Sequence, residues 1–305
     1  MSDLSLRTAW SLAKETVLSW SHDYAASMGA ALAYYTMFSI APLVLIVISV
    51  AGLAFGESAA RGELIDQLQS LMGADGARAV QSLVASVKYP RHGLWTTAFG
   101  VGALVVGATT VFGELQNSLD RIWRAPERER TPGAWKWLRT RLLSLGMILG
   151  LGFMMIVSLV ASALLAALQD WWSRYVDIGA FASFADFATS FVFVTIGFAM
   201  IYKWMPRVRV EWRDVWIGAI VTSALFTVGK MAIGMYIGHS GVASTFGAAA
   251  SLVAMVVWVY WSAQIFLLGA EFTWVYAHGH GSRAGQEPAP APPIPISPAK
   301  KPTAA

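Results

Sequence analysis

The sequence predicts an all-α fold: a polytopic membrane helix bundle of six transmembrane helices with cytoplasmic N- and C-termini. An amphipathic N-terminal helix precedes it, and an extracytoplasmic helical hairpin joins the first two spans. Three observations predict this. Of 305 residues, 56% are apolar and 13% charged, and the mean hydropathy is +0.54, outside the range of soluble globular chains. Apolar runs of membrane length recur at about 29–56, 93–118, 142–169, 178–202, 215–238 and 246–270. With the N-terminus inside, the inner segments hold sixteen Lys and Arg and the outer ones six, Lys230 included, the bias that cytoplasmic loops carry. The net charge of +4 then reports topology, and nucleic acid is not an expected partner. The chain has no cysteine, which excludes disulfides and thiolate metal sites.

In residues 1–28, Leu6, Trp10, Ala13, Val17, Trp20 and Tyr24 recur at three- and four-residue steps, the pattern of a helix lying on a membrane surface. Charges at Asp3, Arg7, Lys14, Glu15 and Asp23 argue against a cleavable signal peptide there. The membrane domain occupies 29–278. Its first span is uncharged, and Pro42 near the middle removes a backbone hydrogen bond and predicts a kink. Tyr35, Ser39, Pro42 and Ser49 share one face of that helix. Residues 57–92 carry too many charges to span, yet keep helical period at Leu64, Leu68, Leu71, Val80, Val84 and Val87 around a GADG turn, which reads as the hairpin.

The second span carries a stripe of small and polar residues at alternating steps of four and three: Thr96, Gly100, Ala103, Gly107, Thr110, Glu114, Asn117 and Arg121. Gly100, Ala103 and Gly107 fit close helix packing, and Glu114 and Asn117 are candidates for chemistry near the cytoplasmic end. The arginine-rich stretch at 119–141 is a cytoplasmic loop by charge bias. The third span is uncharged, with Gly146 and Gly150 as a small-xxx-small pair. In the fourth, Asp186 shares a face with Ser183, Ser190 and Gly197 and lies roughly 25 Å up from Lys203.

The fifth span places Ala219, Ser223, Thr227, Lys230 and Gly234 along one face, opposite Ile220, Leu225 and Val228. Counted from Val215, Lys230 is roughly 22 Å into a hydrocarbon layer of about 30 Å. Either it faces a bundle interior or wet cavity, or its stem snorkels to the headgroups. Asp186 is at similar depth, so it either pairs with Lys230 or caps its own helix start. Tyr236 and His239 complete the outer polar group. The sixth span ends at Glu271, on one face with Gln264, and holds Trp258 and Trp261 near its middle. From 279 to 305, seven of the chain's twelve prolines make a tail expected to be disordered. His278 and His280, just before this tail and at its start, lack a carboxylate partner and do not read as a metal site.

Four segments carry a resemblance: AALAYYTMFSIAPLVL at 30–45, FGELQNSLDRIW at 112–123, RVEWRDVWIGAIVTSALFTVGK at 209–230 and WVYWSAQIFLLGAEF at 258–272. Together they resemble the YihY/BrkB family of bacterial inner-membrane proteins, over about residues 25–278. The resemblance implies a six-span protein of the bacterial inner membrane. It implies no settled activity, the older ribonuclease label being regarded as misassigned, and no functional residue carries over from it.

No enzyme is expected. Hydrolysis of RNA would need clustered His, Asp and Glu, whereas the five histidines are scattered. Neither an H-E-x-x-H nor a G-x-S-x-G pattern is present. No cofactor is expected, and membrane lipids are the expected partners. Two readings remain. In one, the protein translocates a lipid, amphiphile or anionic solute in envelope maintenance. Its pathway is then built from Lys230, Asp186, Tyr236 and His239 outside and Glu114, Asn117 and Glu271 inside, with an anion bound at Lys230 and the inner carboxylates serving release or proton coupling. In the other it is a non-catalytic scaffold for envelope assembly, its polar stripes being bundle packing.

Overall fold

The computed structural model describes residues 6–56, 110–126, 179–239 and 250–286, with single residues between 58 and 84 and at 146, 150, 153 and 157. Every regular element among the described residues is a helix: α1 (Leu6–His22), α2 (Ala25–Phe55), α3 (110–122), α4 (Gly179–Trp204), α5 (Trp212–His239) and α6 (Ala250–Gly279). Among the described residues, three stretches can cross a membrane by length and composition: Phe187–Trp204, Trp212–Tyr236 and Leu252–Gly279.

The last helix is the axis of the structure. α6 packs against α1, α2 and α5, and α4 packs against α5. Its buried residues, including Met255, Val259, Leu267, Glu271, Thr273 and Ala277, spread over a broad face, with Trp261 exposed on the other, as expected of a helix packed against several neighbours. The helix does not end at 270 but continues to Gly279. Glu271 reads in sequence as an end-of-span charge, but it is covered by α1 and so does not stop the helix.

Close crossing of α5 and α6 depends on two glycines. A Cβ on Gly218 would come within 2.8 Å of Thr273 Cβ and Cγ2, and one on Gly269 within 2.8 Å of Thr222 Cβ and Cγ2. Each threonine also donates to the carbonyl four residues earlier in its own helix, Thr222 to Gly218 and Thr273 to Gly269, both at 2.7 Å. The result is a reciprocal seam, each threonine seated on the other helix's glycine, which is how helices approach closely where lipid supplies no hydrophobic drive. Tyr202 brings in α4, its hydroxyl donating to the Phe266 carbonyl at 2.8 Å and lying 3.0 Å from Thr222 Oγ1.

α1 turns Leu12, Thr16 and Asp23 inward with half-buried Ser19, whereas Trp10, Ala13, Val17 and Tyr24 remain exposed. The buried face is therefore offset from most of the apolar stripe, of which Trp20 packs against the core while Trp10, Ala13, Val17 and Tyr24 point away from the bundle. α2 starts at Ala25, four residues earlier than the apolar run suggests, and passes through Pro42 as one helix to Gly56, whose φ of 85° ends it. Of the 57–92 segment, Leu64, Val80 and Val84 are buried with Ala33, Ile40, Val44, Leu45 and Ile48 of α2 and Met255 and Val259 of α6. The rest of that hairpin, the expected third span, most of the second, and the tail beyond 286 lie outside the described residues.

Candidate functional site

The buried charges gather where α1, the α1–α2 turn, the end of α3 and the last third of α6 meet. Glu271 and Asp23 are both fully buried. Ser19 Oγ donates to Glu271 Oε2 at 2.8 Å, and Asp23 follows Ser19 by one helical turn. Arg124 Nη1 is 3.1 Å from Asp23 Oδ1, and its guanidinium lies over the Trp274 ring, 5.2 Å from the centroid. Among the described residues, Glu271 Oε1 and both Asp23 oxygens accept no hydrogen bond, and the indole N–H groups of Trp20, Trp123 and Trp274 donate none.

Two backbone positions build this site at a cost. α3 ends with Arg124 N–H bonding to the Arg121 carbonyl and Ala125 N–H to the Asp120 carbonyl, the double closure in which a left-handed residue, usually glycine, follows the helix. Here arginine holds that position, with φ 53°. Tyr24, between α1 and α2, is also left-handed at φ 59°, and Arg121 lies over its ring at 5.8 Å. Left-handed conformations cost a non-glycine residue about 1 kcal/mol each and persist where surrounding contacts enforce them. The enforcing contacts are the charge pairs and aromatic faces of the site itself.

A second layer fixes the first. Asp120 Oδ1 accepts the Arg207 backbone N–H at 2.8 Å, and its Oδ2 is 3.0 Å from Arg207 Nε. Gln116 donates to the Met205 carbonyl at 3.0 Å. Arg283 donates to the Arg209 carbonyl at 2.9 Å and lies over Trp123 at 5.2 Å. Fully buried Asp214, in the first turn of α5, accepts the Ser282 hydroxyl and backbone N–H. On α6, Gln264 donates to the Ala26 carbonyl at 3.3 Å, and one heptad beyond Glu271, His278 Nδ1 lies 2.9 Å from the Trp274 carbonyl.

The residues singled out in the sequence divide. Glu271 is at the centre of the cluster. Glu114 is half-buried and Asn117 exposed on α3, and neither hydrogen-bonds to Glu271. On α5, Ala219 and Ser223 are buried, Thr227 and Lys230 half-buried, and Ile220, Leu225 and Val228 exposed. Tyr236 is exposed. The side chains of Asp186, on α4, and His239, the last residue of α5, lie outside the described residues, as does that of Pro42. Trp258 packs edge-on against Phe226 at 6.2 Å, and Trp261 is exposed.

Sequence reasoning missed Ser19, Asp23 and Arg124. Asp23 counted there only as a charge against a signal peptide, and Arg124 only as topology. A signal existed: Asp23 is the last charge before 33 residues without one, from Tyr24 to Gly56, so it must be paired or exposed at the membrane boundary.

Membrane-length helices enclosing an acidic cluster define an integral membrane protein. The chain belongs to the Virulence factor BrkB family, whose model matches residues 17–293, a stretch that includes Asp23, Arg124, Lys230 and Glu271. Relatives named UPF0761 membrane protein occur in Tolumonas auensis, 27% identical over 257 residues, 83% of this chain and 80% of that one, and in Photobacterium profundum, 29% identical over 258 residues, 83% and 76% of the two chains. The relative of the same name in Aeromonas salmonicida is 27% identical over 263 residues, 83% and 86% of the two. No solved structure matches the chain.

Proposed function

We propose that the protein is a translocator, not an enzyme, that moves a lipid, amphiphile or other anionic solute across the bacterial inner membrane in envelope maintenance. In this reading it has six spans and both termini in the cytoplasm, with the exposed stripe of α1 lying on the inner leaflet. The observation that carries the reading is the presence of an ionisable group inside each of two membrane-length helices, fully buried Glu271 in α6 and half-buried Lys230 in α5. Such groups are expensive in a bilayer and mark pathways by default. Lys230 lies toward the outer end of α5 and Glu271 toward the inner end of α6, so the two serve opposite sides. An anionic headgroup or solute is the natural counter-ion for Lys230, while Glu271 controls access from the inside.

The test is lipid movement in proteoliposomes containing fluorescent anionic and zwitterionic lipids, with the outer-leaflet label bleached chemically. Wild type should expose inner-leaflet label faster than empty vesicles, and Lys230→Ala should abolish the gain. Unchanged movement in that variant removes the lysine from the pathway. The second reading, a scaffold for envelope assembly, is favoured by the tight Gly218–Thr273 and Gly269–Thr222 seam, and it is upheld if wild type moves neither lipid nor a series of anionic solutes.

A further inference from the structure

We propose that Asp23 and Glu271 hold a single proton between them, forming a proton-binding site that ties the N-terminal helix to the bundle. This deepens the translocator reading and rests on it in one respect: there, the proton is the coupling ion. The argument is a count of charges and donors. Two carboxyl groups are fully buried at one junction, Glu271 held by Ser19 and Asp23 one helical turn beyond that serine, and one guanidinium, Arg124, is close enough to neutralise one of them. Among the described residues, the second negative charge has no cation of its own.

Charged groups on the neighbouring elements are engaged elsewhere or in water. His22 Nδ1 is 3.6 Å from Asp23 Oδ1 but its side chain is 72% exposed. α2 carries no Asp, Glu, Lys, Arg or His at all. On α3, Arg121 lies on Tyr24 and Asp120 on Arg207, and Glu114 does not hydrogen-bond to the pair. On α4, Lys203 donates to the Val210 carbonyl. On α5, Asp214 is held by Ser282, and beyond α6, Arg283 is held by Trp123 and the Arg209 carbonyl, and His278 lies against Trp274.

The donor count agrees. Ser19 supplies one hydrogen bond to Glu271 Oε2, leaving Glu271 Oε1 and both Asp23 oxygens as acceptors without a donor among the described residues. One proton on either carboxyl group provides the missing donor and converts a like-charge contact into a charge-assisted O–H···O bond. Because Ser19 and Asp23 belong to α1 and the α1–α2 turn while Glu271 belongs to α6, loss of the proton sets two anions against each other across that junction. Protonation and the seating of α1 are therefore linked.

The test is infrared spectroscopy of the full-length protein in nanodiscs, titrated with pH. The expected result is one protonated-carboxyl carbonyl band at neutral pH, shifted by deuterium exchange. It should vanish in Glu271→Gln and also in Asp23→Asn, because either variant leaves one carboxylate facing Arg124. Arg124→Gln, which removes the cation, should carry the band to higher pH. Size-exclusion profiles matching wild type establish that the conservative variants are folded. Absence of the band in wild type, or its survival in either carboxyl variant, overturns the proposal. The two readings fail separately: a band without vesicle transport sinks the translocator and leaves the proton site, whereas transport without the band sinks only the proton site.

Discussion

Replacing Gly218 with alanine adds one methyl group at the tightest point of the α5–α6 crossing. Its Cβ would sit 2.8 Å from two carbon atoms of Thr273 and closer still to the hydroxyl oxygen, whereas carbon atoms pack best at about 3.5–4.0 Å. The helices must separate by about 1 Å, or Thr273 must leave its rotamer and its 2.7 Å bond to the Gly269 carbonyl. Thr273 is β-branched and fully buried, so it has no other place to go. Overpacking of this kind costs about 1–3 kcal/mol, and the upper half of that range applies because helix association in lipid rests on the packing itself. The assay is reversible unfolding in mixed micelles, comparing Gly218→Ala, Thr273→Ala and the double variant. Thr273→Ala removes the obstructing atoms, so the double variant should be more stable than the sum of the single losses, with a coupling of about 1–2 kcal/mol. Additive losses, or a Gly218→Ala variant as stable as wild type, would refute the seam.

Gly29→Ala provides the contrast: its Cβ would approach the end of Gln264, with Cδ at 2.9 Å, and that flexible amide can swing aside. The expected loss in the same assay is about 1 kcal/mol, the Gln264 bond to the Ala26 carbonyl. Arg124→Ala removes the partner of buried Asp23 and should cost about 3 kcal/mol, but Arg124→Gly should recover about 1 kcal/mol of it because glycine adopts φ 53° freely. Equal unfolding midpoints for those two variants would show that the left-handed residue carries no strain. Asp214→Ala deprives Ser282 of its acceptor, and limited trypsin digestion should cut after Arg283 several-fold faster, reporting local opening of the segment after α6.

How much of this was legible in the sequence depends on the kind of interaction. Helices α4 and α5 follow from apolar length, and the buried and exposed faces of α5 around Ser223 and Val228 follow from helical period. Gln264 and Glu271, one heptad apart in α6, are both buried. The seam could not be read, because Gly218, Thr222, Gly269 and Thr273 are unremarkable residues until two helices are crossed at one point. Nor could the acidic site: Asp23 and Glu271 are separated by 248 positions, and Arg124 reaches them only because α3 closes with a left-handed residue that nothing in RIWRAP announces. The apolar stripe of α1 identified a helix but hid its working face, since Thr16, Ser19 and Asp23 are polar residues buried against polar partners.

The two kinds of contact are distributed unequally. α4, α5 and α6 are joined by interlocking backbone contacts and by Tyr202, which reaches both Thr222 and the Phe266 carbonyl. Packing of that kind does not respond to protonation. α1 and the end of α3 meet the last turns of α6 through Ser19, Asp23 and Arg124, whose contacts with Glu271 and Trp274 are electrostatic and therefore depend on charge state. A change of one charge at Glu271 accordingly acts on the elements at the edge and spares the α4–α5–α6 unit.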